Sequence, residues 1–303
     1  MKKILIFFIT LSICFTLFPS NDLRLKPYIM AGYEKGDLSQ SVLKIETLLK
    51  DNQFEILGKY SPMKDKNRVV IIATHELLKK PVKKIGGLTA FASVIRLGLY
   101  LNNNRIEISY MNPIYWGNAY FRKKYPDNES YFLKLKNILL DISKKLDTFK
   151  NYQFGSKKGL TVKKLRKYHY MLFMPYFDDV IKLSKNSDYK TALKKIEGNF
   201  IKEIGQVEKV YRIDFPEKKL TLFGGALFGK DGESRFIPKI DKYDPKHIAF
   251  MPYEFLVMKD KVVMLHGKFR IALSFPDLSM GTFMKIVSTP GNIEDYFADI
   301  VKK

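Results

Sequence analysis

Apolar residues recur at intervals of four, three and four at Leu38, Val42, Ile45 and Leu49, and again at Tyr189, Leu193, Ile196 and Phe200. Each set traces one face of an α-helix, and Asp37 stands where a side chain can cap the first. Both helices lead into strand-like stretches that end at a proline, Gln53–Ile56 before Ser61-Pro62 and Gln206–Lys209 before Phe215-Pro216. A second strand rich in β-formers follows in each case, Arg68–Ile72 and Lys219–Phe223. The chain therefore reads as a repeat.

The far ends of the halves extend the correspondence. Ile95-Arg96-Leu97-Gly98-Leu99 matches Phe269-Arg270-Ile271-Ala272-Leu273, and Asn112-Pro113 leading to Tyr120-Phe121 matches Thr289-Pro290 leading to Tyr296-Phe297. In this alignment the offset grows from 151 residues (Leu38 to Tyr189) to 174 (Arg96 to Arg270), which predicts an insertion of about 23 residues in the second copy. It falls between Gly225 and His266, where Lys259-Asp260-Lys261 can turn a hairpin between Tyr253–Met258 and Val262–His266. Between the halves, Phe132, Leu135, Leu139, Ile142, Leu146 and Phe149 predict a long amphipathic helix with Asp127 as its cap, and 153–167 reads as an exposed basic linker. The predicted fold class is α+β: two related domains (28–125 and 168–303), each a helix packed on an antiparallel-rich sheet, joined by the amphipathic helix and linker of 126–167.

Residues 1–20 carry a cationic start, Met1-Lys2-Lys3, and an apolar run from Ile4 to Phe18. This is the pattern of a secretory signal, cut after Ser20 and too short for a stable transmembrane anchor. The expected location is periplasmic or secreted. Cys14, the one cysteine, would leave with the signal, removing disulfides, thiolate nucleophiles and cysteine-bound metals together.

With 53 Lys plus Arg against 31 Asp plus Glu, the net charge is +22. Residues 121–170 hold 14 basic and 4 acidic residues, so nearly half of the excess lies there. Such a field attracts polyanions. For an exported protein these are anionic lipid headgroups and envelope polymers rather than nucleic acid, which is not an expected partner.

The first half, Met30 to about Tyr125, resembles the family called domain of unknown function 302. The resemblance rests on the helix Leu38–Leu49 leading into Phe54-Glu55-Ile56, on His75-Glu76-Leu77-Leu78-Lys79-Lys80, and on the hairpin Val94–Leu101 and Arg105–Tyr110 closed by Asn112-Pro113. Family members usually carry a proline entering the hairpin, where this chain has Ala92-Ser93. The second half would be a divergent copy. The resemblance implies a small, often self-associating α+β domain and brings no family catalytic residues.

No GxSxG, HExxH, P-loop or GxGxxG-after-strand motif is present, and Gly224-Gly225 reads as a turn. Three constellations remain. Arg270, Glu254, Asp277 and His266 interrupt apolar stretches of the second half and could form an acid–base cluster; Arg270 could pair with Glu254 or Asp277 across neighbouring strands. If Arg96 and Arg270 both face the seam between domains, they could bind an anionic ligand there, with Asn112, Tyr115, Trp116 and Tyr253 as pocket walls. His266, Met264 and Met258 could hold copper or axially ligate haem, against the plainer reading of methionines as core. The leading expectation is a non-enzymatic binding or accessory module without a cofactor. An enzyme and a copper or haem protein are the alternatives.

Overall fold

The computed structural model describes residues 23–302 apart from 173; the signal segment of 1–20 lies outside the described residues. The first half runs β1 (Arg24–Leu25), β2 (Tyr28–Glu34), α1 (Leu38–Asp51), β3 (Glu55–Tyr60), β4 (Arg68–Thr74), α2 (Glu76–Ile85), β5 (Ile95–Asn102), β6 (Arg105–Met111), α3 (Pro113–Phe121), α4 (Glu129–Ser143) and β7 (Thr148–Phe154). After β8 (Leu160–Thr161) and α5 (Val162–Arg166) come β9 (Ile181–Lys185), α6 (Tyr189–Ile201), β10 (Val207–Phe215), β11 (Leu220–Leu227), α7 (Glu233–Ile240), β12 (Tyr253–Met258), β13 (Lys261–Met264), α8 (Gly267–Ser274), α9 (Met280–Met284) and α10 (Thr289–Lys302).

The expected helical faces are inward. Leu38, Val42, Ile45 and Leu49 are buried along α1, and Asp37 caps it by accepting from the amides of Ser39 and Gln40. In α6, Ile196 and Phe200 are buried and Asp188 is the cap. All strand pairs are antiparallel, and the sheets have orders β3-β4-β5-β6-β2-β7 and β10-β11-β12-β13-β9. Apart from β7 the two orders are the same, element for element. The architecture is α+β with antiparallel sheets.

That correspondence corrects the alignment of the far ends. β5 pairs with β12 in the repeat, so the counterpart of Arg96 is Glu254, the second residue of its strand, and not Arg270. Leu220 follows Arg68 by 152 residues, Tyr253 follows Ile95 by 158, and Gly267 follows Pro113 by 154. No insertion of about 23 residues exists, and the β12–β13 hairpin is the equivalent of β5–β6. Arg96 and Arg270 each sit in a short, fully buried apolar run, and such runs carry no period to tell strand from helix.

The connection at 126–167 is not a linker. α4 ends at Ser143 and packs on α2, α3, β2 and β7 of the first half, while Phe149 lies in β7, which pairs along β2. Asn128 rather than Asp127 stands at the helix start, and its side chain makes no cap bond.

The halves meet reciprocally. The short 3-10 segment Gly87–Ala92 lies on β11 and β12, and its counterpart Ile248–Phe250 lies on β4, β5 and β6. The equivalent edge strands β3 and β10 also touch. Exchange of equivalent elements is the contact pattern of a two-fold interface, here within one chain. Among the described residues no helix is long and apolar enough to cross a membrane.

Candidate functional site

At the middle of this seam lie three charged side chains almost without solvent exposure: Arg96 on β5 (1%), Glu254 on β12 (3%) and Arg270 on α8 (2%). A buried charge is tolerable only when paired and hydrogen-bonded. Arg96 Nη2 forms an ion pair with Glu254 Oε1, and the Tyr211 hydroxyl donates to the same oxygen. Arg270 Nη2 stands 3.8 Å from Glu254 Oε2 and donates to the carbonyls of Phe250 and Pro252 at 2.7 Å each. Its guanidinium lies over the Tyr253 ring, 4.5 Å from the centroid.

Gly224 makes room for this arrangement. It faces Glu254 in the β11–β12 register, and a Cβ there would fall 2.0 Å from the Tyr211 ring. Tyr211 leans across the glycine to reach Glu254. Gly224-Gly225 is thus part of a strand rather than a turn, a correction with a visible cause. A glycine pair inside a β-rich run was the sequence signal that could have located the cluster.

Two guanidiniums against one carboxylate leave one positive charge in excess. Burial works against the Arg96 charge, yet Glu254, with Tyr211, holds that guanidinium above its ordinary value. Burial likewise raises the phenols: Tyr120 to about 12, and Tyr211 and Tyr253 well above their usual value, so all three keep their protons. Arg96 Nε, Arg270 Nε and Nη1, the Tyr253 hydroxyl and Glu254 Oε2 have no hydrogen-bond partner among the described residues. The Tyr120 hydroxyl lies beside Arg270 without reaching hydrogen-bond geometry. Three unpartnered guanidinium nitrogens outnumber the one unpartnered carboxylate oxygen, which fits a small anion or acceptor-bearing molecule.

The other candidate residues separate from this cluster. Asp277 is on the surface side, accepting from Ser156 Oγ at 2.9 Å and from the Lys157 amide. His266 is the cap of α8: its Nδ1 accepts from the Lys268 amide at 3.2 Å, which places the proton of the neutral ring on Nε2 and leaves no lone pair for a metal. It borders an open cleft of about 380 Å³ shared with His169, Met174 and Asp179. Met264 is fully buried on β13, and Met258 lies at the far end of β12, packed against the core. The four-residue acid–base cluster and the His266, Met264 and Met258 ligand set are therefore not formed. Arg270 does pair with Glu254, but from a helix and not from a neighbouring strand.

The expected pocket wall on α3 is also reassigned. Asn112 caps the helix through the Ile114 amide and donates to Lys26 O and Gln153 Oε1, both at 2.9 Å. Trp116 Nε1 donates to Pro27 O at 2.8 Å, and Tyr115 donates to Leu273 O on α8 at 2.7 Å. All nine residues of α3 are buried. The polar side-chain atoms of Asn112, Tyr115 and Trp116 are occupied by the protein, so this end of the helix fastens the two halves and Tyr253 alone of the wall residues belongs to the cluster.

Comparison with solved structures finds similarity to an "uncharacterized conserved protein DUF302 from Bacillus stearothermophilus", with 14% identity and a TM-score of 0.34. The match covers 39% of this chain and 95% of that one. No family model and no curated protein matches the chain.

Proposed function

We propose that the chain is an exported cell-envelope protein in which two related α+β domains close on a small anionic ligand at their seam, as a non-enzymatic binding or accessory module. The first domain takes in α4 and β7 as well as β2 to α3, and the second begins near β9. Export rests on the leader pattern of residues 1–20. The observation that carries the ligand reading is the buried Arg96–Glu254–Arg270 cluster, with one surplus positive charge and unpartnered guanidinium donors. An anion accepting from Arg270 Nη1, or from Nε on the opposite edge of the guanidinium, would cancel the surplus and satisfy an unpartnered donor.

Because the cluster is enclosed, a ligand would exchange slowly and travel with the protein. Native mass spectrometry of protein isolated without denaturation should show a bound small molecule, lost on unfolding. Arg270→Lys keeps the charge but not the planar fork, so its occupancy should fall severalfold at the same total charge. A bare polypeptide mass for the wild type, with no thermal shift from any anion of a broad panel, would overturn the reading.

A further inference from the structure

Part of the basic stretch at 121–170, the turn Arg122–Lys124 with β8 and α5, lies beside β1, the first described strand. β1 pairs with β8 in the register Arg24 to Thr161, and the Val162 amide donates to Leu23 O at 3.3 Å. Val162 is the first residue of α5, which packs against the turn Arg122–Lys124. Arg24, Lys123, Lys124, Lys163, Lys164 and Lys167 are exposed on these neighbouring segments. Arg122 is engaged by Asp178 at 2.6 Å, whereas none of those six has a carboxylate within ion-pair distance among the described residues. Leu23, at the edge of the same surface, is 51% exposed.

Leu23 follows Phe18, the end of the apolar run, by five residues, a reach of at most about 18 Å. Until the leader is cut, a bilayer that holds it lies within that reach of Leu23, at the edge of the β1–β8–α5 surface. The geometry points to this surface as a docking face for an anionic lipid bilayer, and the cations remain on the exported chain whether or not the leader is cut. Clustered lysines near a membrane add their attractions and lose them within a Debye length. The proposal is independent of the ligand at the seam, which lies in the core.

Sedimentation of the purified chain with vesicles tests it. Binding to phosphatidylglycerol–phosphatidylcholine vesicles should exceed binding to pure phosphatidylcholine at least tenfold and fade at about 0.5 M salt. Lys163→Glu with Lys164→Glu should reduce the binding by at least about tenfold. The matched pair Lys190→Glu with Lys194→Glu, on the exposed side of α6, should leave it within about twofold, with circular dichroism melts confirming that both variants fold. Equal losses in the two double variants would show a response to net charge alone and overturn the proposal. So would equal binding to both kinds of vesicle, or binding to neither.

Discussion

Glu233 opens α7 with no solvent exposure and accepts from the Leu227 amide at 3.1 Å, the Met63 amide at 2.8 Å and the Tyr60 hydroxyl at 3.2 Å. Two of these partners belong to the first half, so this carboxyl is a further polar tie across the seam. Burial outweighs the three hydrogen bonds and pushes its pKa up to about 7. The folded state then holds the proton where the unfolded chain has released it, and stability falls as pH rises from about 4.5 to 7. Asp241, raised to about 6 by burial, acts in the same direction. His247, lowered to about 3 by burial, acts oppositely, costing stability as pH falls below about 6.5. The wild-type curve therefore mixes signs, and the comparison with Glu233→Gln isolates one group. Thermal melts from pH 4.5 to 8 should show the wild type losing about 3 kcal/mol more than the variant across that interval; identical slopes would contradict the assignment. None of this was legible in the sequence, where Glu233 is one acid among 31 acidic residues. Arg96 was equally opaque, since its acid lies 158 residues away on the equivalent strand. The Arg270–Glu254 pairing was legible because each is a charge in an apolar run, a pattern that burial explains whatever the secondary structure.

At the scale of elements, α1, α6, β4 and the β12–β13 hairpin follow from periodicity, caps and turn residues, all local signals. The match of β5 to β12 needed the sheet order, because five buried residues around an arginine look alike in strand β5 and helix α8. Glycines at the seam are the local trace of that long-range packing. A Cβ on Gly98 of β5 would lie 2.5 Å from Ile248 Cβ, and one on Gly58 of β3 would lie 2.1 Å from Val210 O. Gly198 in α6 has nothing within 4 Å of such an atom. Gly98→Ala should accordingly destabilise the protein by about 2 kcal/mol or more, through overpacking between the halves. Gly198→Ala should stabilise it by about 0.5–1 kcal/mol, through helix propensity and the unfolded chain. Chemical denaturation of both variants checks the pair, and a Gly98→Ala protein as stable as the wild type would mean that the seam is looser than described.

For the molecule as a whole, equivalent positions of the two halves carry Arg96 and Glu254, which face each other near the approximate two-fold. A symmetric pair would set like against like there. The opposed charges favour closure of one half on the other within a chain, while Arg270, from α8, adds the charge that Glu254 does not cancel. The surplus sits in the core; six exposed cations sit on and beside the β1–β8–α5 surface. The proposed ligand centre and the proposed membrane-facing side therefore lie in different parts of the molecule. Anion binding at the seam is tested most directly by a crystal structure at about 2 Å of protein isolated without anion exchange. Non-protein density within about 3 Å of Arg270 Nε or Nη1, too large or too electron-rich for water, is the predicted result. Water alone at those nitrogens, or protein carbonyls filling them, would contradict it.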